Sequence, residues 1–168
     1  MTKIGLLSDT HGWLHPRVFD FFASCNLILH AGDIGSVETA DQLAKFKPLY
    51  AVYGNIDGHQ LRIQFSEKLL FEVESCKILM THIGGYPGHY AKGISDLIRQ
   101  HKPDIFVSGH SHILKVIPDK KNKLLHINPG AAGRNGLHHK ITMIRFAIDG
   151  KAIQDMEILE INRDQALT

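Results

Sequence analysis

Asp9 and His11 stand one residue apart in SDTHG, directly after the hydrophobic run KIGLL. Similar arrangements recur down the chain. NLILHAG runs into Asp33, LYAVYG into Asn55, KILMT into His82, and DIFVSG into His110 and His112. Each run is short, apolar and rich in β-branched or aromatic residues, as a buried strand is. Five strand ends therefore carry two carboxylates, one amide and four imidazoles. That is too many donors for one tetrahedral ion and suits two ions sharing a carboxylate bridge. Nitrogen and oxygen donors without thiolate favour manganese, iron, nickel, cobalt or zinc over a pure magnesium or calcium site. In an extended segment the side chains at i and i+2 share a face, so Asp9 with His11, and His110 with His112, are each expected to converge.

Strands are expected at Lys3 to Ser8, Leu27 to Ala31, Leu49 to Tyr53, Lys77 to Thr81, Ile105 to Ser108 and Leu124 to Asn128. Helices are expected at Pro16 to Ser24, Val37 to Lys47 and Tyr90 to Gln100, the last stopped by Pro103. From Leu114 the pattern changes to hairpins, with turns at PDKKNK and Asp149-Gly150 and strands in IRFAI and AIQDMEILEI. In open α/β sheets ligands bind beyond the carboxyl ends of the strands, so the seven donors would meet on one rim. Glycines 12, 32, 54, 84 and 109 would give that rim its tight turns. The element pattern fits two sheets packed between helices, an αββα sandwich, or one doubly wound sheet.

Composition excludes several classes. A length of 168 residues suits one domain, 1–168, with a full core. With 43% hydrophobic and 21% charged residues and a net charge of +2, the chain shows no specific signal for nucleic acid or an anionic membrane. Cys25 and Cys76 form no CxxC pattern and are expected as reduced, buried thiols. The apolar start is too short for a signal peptide, and no segment is long enough to span a bilayer; the expected setting is cytoplasmic. Monomer and homo-oligomer both stay open.

SDTHG, HAGD, YGNID, THIG and SGHSH, in that order, together resemble the calcineurin-like metallophosphoesterase signature, and NPG at Asn128 to Gly130 extends the resemblance over nearly the whole chain. More narrowly the chain is similar to small bacterial and archaeal phosphodiesterases. The resemblance implies a four-layer αββα sandwich of two mixed β-sheets flanked by helices, with a dinuclear metal site at strand carboxyl ends. It assigns Asp9, His11, Asp33 and His112 to one ion and Asp33, Asn55, His82 and His110 to the other, Asp33 bridging. Asp33, Asn55 and His82 are the expected catalytic residues. Arg134, in GAAGRNG, is the candidate for a substrate phosphate oxygen.

The implied reaction is hydrolysis of a small phosphodiester or other phosphoester by in-line attack of a hydroxide between two divalent ions, manganese foremost. One departure matters. The superfamily usually follows the asparagine with a histidine that serves as acid, whereas GNID has Ile56 there, as similar small phosphodiesterases do. Asp57 is expected to support the site. His30 is read as packed behind it, and His59 and His89, in Gly-rich segments, as secondary functional candidates. Trp13 is expected over the site or in packing, and His15, His101, His126, His138 and His139 as surface or packing residues. The rival reading is a protein-interaction scaffold, because a eukaryotic trafficking subunit of this fold has lost ligands. An HxHxDH motif, the mark of another dinuclear hydrolase class, is absent from the sequence.

Overall fold

Side chains alternate along a strand, and both faces of the first one are buried, so layers must cover it from two sides. The computed structural model describes residues 1–166. In chain order these form β1 (Thr2–Leu7), α1 (Arg17–Phe21), β2 (Leu27–His30), α2 (Val37–Phe46), β3 (Leu49–Ala51) and α3 (His59–Gln64). Then come β4 (Lys68–Val73), β5 (Cys76–Thr81), β6 (Gly85–Tyr86), β7 (His89–Tyr90), α4 (Ile94–His101) and β8 (Ile105–Val107). The rest is β9 (Leu114–Asp119), β10 (Leu124–Pro129), β11 (Lys140–Asp149), β12 (Ala152–Asn162) and α5 (Arg163–Ala166).

Two five-stranded mixed sheets result, ordered β12-β11-β1-β2-β3 and β4-β5-β8-β10-β9, with β6-β7 as a separate ribbon. β1, β2 and β3 are mutually parallel, as are β5, β8 and β10, while the remaining strands pair antiparallel at the flanks. Ile4, Leu6, Leu29, Ile144 and Phe146 of the first sheet pack on Ile78, Met80, Ile105, Val107 and Ile127 of the second. The outer face of the first sheet carries Leu7, Ile28 and Met143 against Val18 and Phe22 of the α1 region and Leu43 of α2. Leu79, Phe106 and Leu124 on the outer face of the second take Ile94 and Ile98 of α4. The arrangement is the four-layer αββα sandwich.

Several elements differ from the sequence expectation. The first helix shrinks to α1, and Tyr90 lies in the β6-β7 ribbon, so α4 starts only at Ile94. The ribbon's hairpin, Gly85 pairing with Tyr90, takes the backbone that the expected helix start would have used. β4 and α3 have no counterpart among the expected elements; β4 is an edge strand in which only Val73 is buried, too weakly patterned to stand out.

On β10, His126 is buried on the outer face, stacked on Phe106 with ring centroids 5.4 Å apart. Burial pushes its pKa down to about 4, and burial does the same to His30, also to about 4. Both groups titrate lower in the folded chain than in the unfolded one, so the unfolded chain binds more protons between pH 4 and 6.5. Their stabilising effect is complete at pH 7 and is lost as pH falls through that window, at up to about 1.4 kcal/mol per pH unit for each group. Urea midpoints should therefore drop from pH 7 to pH 5, and His126→Leu should reduce the drop; an unchanged pH slope in that variant would exclude His126 as a contributor.

Candidate metal centre

All five loops that carry the expected ligands leave the carboxyl ends of parallel strands: β1, β2 and β3 from one sheet, β5 and β8 from the other. The local geometry is not the extended one expected from the i, i+2 spacing. Asp9, His11, Asp33, His110 and His112 all adopt left-handed backbone, with φ of 55°, 48°, 54°, 71° and 61°. Each such non-glycine residue costs about 1 kcal/mol or more and persists only where its surroundings impose it. Here the loops are tied to one another. Asp9 N–H donates to Gly32 O at 3.0 Å, His11 N–H to Asp33 O at 3.0 Å and Gly12 N–H to Ile34 O at 2.8 Å. Gly109 N–H donates to His82 O at 2.9 Å, bringing the second sheet's loops together.

The resulting donor set is compact. His112 Nε2 lies 3.2 Å from Asp9 Oδ1, and His11 Nε2 3.5 Å from Asp33 Oδ2. His82 Nε2 lies 3.2 Å from that same Asp33 oxygen, and His110 Nδ1 lies 3.0 Å from Asn55 Oδ1. Asp9, His11 and His112 form one group of convergent donors; Asp33, His82 and His110 form a second. Two atoms bound to one ion at about 2.1 Å lie about 3.0–3.4 Å apart for right-angle to tetrahedral coordination; three of these pairs fall in that range, and the others lie at 3.5 Å for His11 with Asp33, 3.8 Å for His82 with Asp9 and 4.0 Å for His11 with Asp9. Asp9 Oδ1, His11 Nε2 and His82 Nε2 are buried without a hydrogen-bond partner among the described residues. Such orphaned donors are costly unless something absent from the polypeptide satisfies them.

The electrostatics point the same way. Burial raises the pKa of Asp9, but His112, His82 and the Ser8 hydroxyl outweigh it and hold the carboxyl below its ordinary value. Burial likewise opposes ionisation of Asp33, and His82, the Ile56 N–H and His11 more than offset it. The two carboxylates stay ionised, and against the effect of burial Asp33 and Asp9 in turn raise the pKa of His82 between them. With orphaned nitrogen and oxygen atoms at coordination spacing, the residues fit two divalent ions.

Residues 2–151 match the calcineurin-like phosphoesterase superfamily domain. The chain belongs to the calcineurin-like phosphoesterase superfamily. It is 33% identical over 161 residues to a probable metallophosphoesterase of Methanothermobacter thermautotrophicus, covering 93% of this chain and 91% of that one. A probable metallophosphoesterase of Methanocaldococcus jannaschii is 33% identical over 134 residues, 76% of this chain and 67% of that protein. The fold matches an archaeal phosphodiesterase with a TM-score of 0.69 at 22% identity, over 94% of this chain and 99% of that one. It matches Vps29 of Entamoeba histolytica, complexed with Zn²⁺, with a TM-score of 0.72 at 18% identity, over 96% and 99% of the two chains. At these identities the structural likeness is one of fold.

In this superfamily member, residues around the donors hold them in place. His82 Nδ1 donates to Ala31 O at 2.8 Å, which leaves Nε2 facing the carboxylates. His30 Nδ1 accepts the Gly32 N–H at 3.1 Å, and its Nε2 lies 2.9 Å from Thr10 Oγ1, joining the β1 and β2 loops behind the site. Asn128 donates to Gly109 O at 2.9 Å and to Ser111 Oγ at 3.1 Å, bracing the loop that carries His110 and His112. His138, expected as a surface or packing residue, instead has its Nδ1 3.2 Å from His112 Nδ1. Its position in a polar loop, 26 residues beyond His112, left no periodic signal to find. Arg134 is exposed with its guanidinium over Trp13, 5.1 Å from the ring centroid, and His59 and His89 are exposed.

Asp57 is almost fully buried and holds two ligand loops at once. Its Oδ2 accepts Gly54 N–H at 2.8 Å and Ile34 N–H at 3.1 Å, and its Oδ1 accepts Gly35 N–H at 2.8 Å. Both oxygens are thus committed to the backbone beside Asp33 and Asn55. Asp57→Ala would strand three backbone donors and should lower stability by at least about 3 kcal/mol, since each buried unsatisfied donor costs about 1–3 kcal/mol. A shift of the urea midpoint measures this; an unchanged midpoint would contradict the bracing role.

Proposed function

We propose that this protein is a metal-dependent phosphodiesterase that holds two divalent transition-metal ions, with manganese the preferred pair. The observation that carries the reading is the position of Asp33 Oδ2, 3.5 Å from His11 Nε2 and 3.2 Å from His82 Nε2, one oxygen facing both donor groups. Asp9, His11, Asp33 and His112 would hold one ion; Asp33, Asn55, His82 and His110 would hold the other. A bound pair of ions supplies a nucleophile from water at neutral pH and neutralises charge building on the phosphoryl oxygens.

The protein's own surfaces favour a diester. A cleft of about 640 Å³ opens beside Asn55 and His82 and is lined by Tyr53, Arg62, Lys68 and Lys92. Another, of about 500 Å³, opens beside His110 and His112 and is lined by Ile113 and Leu137. A phosphodiester has two arms to seat, and the site has room on two sides. Arg134, exposed and unengaged with carboxylates among the described residues, is available to a phosphate oxygen. No helix of the described residues is long and apolar enough to cross a membrane, and Cys25 and Cys76 are buried free thiols; a cytoplasmic setting suits both.

The competing reading, a scaffold without catalysis, leaves the seven convergent donors unexplained. Protein reconstituted with manganese should bind close to two equivalents by elemental analysis and hydrolyse bis-(4-nitrophenyl) phosphate, and Asp33→Ala should lose both ions. Zero stoichiometry across manganese, zinc, nickel, iron and cobalt would overturn the enzyme reading.

Hydrolysis also needs a proton for the departing oxygen. The residue after Asn55 is Ile56, whose side chain is exposed and cannot donate, while its N–H is committed to Asp33 Oδ1 at 3.1 Å. General acid help contributes about 10²–10⁴-fold where it exists. Across aryl diesters, log rate should fall steeply with leaving-group pKa, and Ile56→His should flatten that slope. A shallow slope in the unmodified protein would reveal an acid elsewhere, with His59→Ala as the next variant to assay.

A further inference from the structure

We propose that His138 is the positioning residue that fixes the tautomer of His112 and thereby prepares one of the two metal sites. The inference rests on the metal-site reading above. His138 Nε2 lies 2.8 Å from Gly133 O, and a carbonyl can only accept, so the imidazole's single proton sits on Nε2. Nδ1 of the neutral ring is then a lone pair. It lies 3.2 Å from His112 Nδ1, which must carry the proton between them. Once the ring is neutral, the lone pair of His112 is therefore on Nε2, 3.2 Å from Asp9 Oδ1 and turned into the group formed by Asp9, His11 and His112. A ligand histidine needs that state of its ring, and a partner on the far nitrogen normally supplies it. For His82 the partner is a backbone carbonyl; for His112 it is another histidine, which acts as acceptor only because Gly133 has claimed its other nitrogen.

The loop is built around this contact. Gly136 sits at φ 127°, and a Cβ there would lie 2.5 Å from His112 Nδ1, so a larger residue would push the two rings apart. Arg163, at the start of α5, donates to the carbonyls of Gly136 and His138, the latter at 3.0 Å, and pins the loop from beyond the β11-β12 hairpin. Gly133 N–H donates in turn to Asp9 O at 3.0 Å, so the carbonyl that orients His138 belongs to a residue anchored at the first ligand. The rings of His112 and His138 meet edge to face, with centroids 5.1 Å apart and planes at 82°.

Two variants separate the tautomer role from simple loop anchoring. His138→Ala removes both contacts. His138→Asn also loses the bond to Gly133 O but places an amide oxygen near the former Nδ1, where it can still accept from His112. Calorimetric titration of the metal-free protein with manganese should show two sites in the unmodified chain. In His138→Ala one site should weaken about 10–100-fold with the other unchanged, the usual range for loss of a partner behind a ligand, and His138→Asn should recover most of that loss. Equal weakening in both variants would mean loop anchoring alone, and unaltered titration in His138→Ala would remove the role entirely; either overturns the proposal. Absence of both sites in the unmodified protein would instead strike the metal-site reading. An independent measurement needs no variant: nitrogen-detected NMR of the metal-free protein should find His112 protonated at Nδ1, and an Nδ1 without a proton overturns the proposal.

Discussion

A carboxylate buried among histidines, with no lysine or arginine paired to it among the described residues, is the constraint on which the rest of this molecule depends. Asp33 is nearly inaccessible, held in left-handed backbone, and gives one oxygen to the Ile56 N–H and the other to the space between His11 and His82. Asp9 repeats the pattern: Oδ2 is committed to Ser8 and the His110 N–H, and Oδ1 faces His112. Each carboxylate therefore has one oxygen satisfied by protein and one held in reserve. Keeping two such charges ionised away from water is expensive unless a partner charge arrives. The surrounding loops exist in this form because both carboxylates must be held still while incompletely satisfied.

Holding them requires a frame stiffer than the loops. The shared core between the two sheets supplies it, since Ile4, Leu6, Leu29, Met80 and Val107 lie on the strands whose ends carry ligands. Parallel strands start their loops from the same edge of a sheet, so three loops from the first sheet and two from the second face one another without a domain interface. Glycine permits the final approach: a Cβ on Gly54 would lie 2.1 Å from Asp33 Oδ1, so the loop carrying Asn55 could not close over Asp33 with any other residue. Backbone strain at five ligands is thus borne by strand pairing and core packing a few residues away.

The cluster of candidate donors was legible in the sequence because its signal is chemical and local. Each donor follows an apolar strand within a few residues, and strand ends in α/β folds are where ligands meet. The sandwich was legible only with the resemblance, since alternation in KIGLL buries both faces whether one sheet or two are present. The left-handed backbone was not legible: Asp and His tolerate it without demanding it, and only the cross-loop hydrogen bonds select it. β4 leaves almost no signal in the sequence, because an edge strand with one buried residue carries almost no period. Asp57 could be assigned a supporting role from its place after Asn55, but His138 could not, because its partner is far away in sequence and its neighbours, Leu137 and His139, are both exposed.

The balance of cost and stabilisation bears on why such a site is built at all. Left-handed ligands and orphaned buried nitrogens each lower the stability of the metal-free chain, and nothing in the fold needs them: the inter-sheet core and the helix contacts are complete without the rim. A fold serving only as a surface for partners would gain stability by replacing His11 or Asp9 with residues that fill the space and satisfy the backbone. Cation binding reverses the balance, since anything bound only by the folded chain stabilises it by mass action and satisfies all the reserved atoms together. Asp57, His30 and Asn128 are then understandable as parts of the same device. They place buried hydrogen bonds behind the candidate ligands, where they hold the convergent donors in place around the space an ion would take.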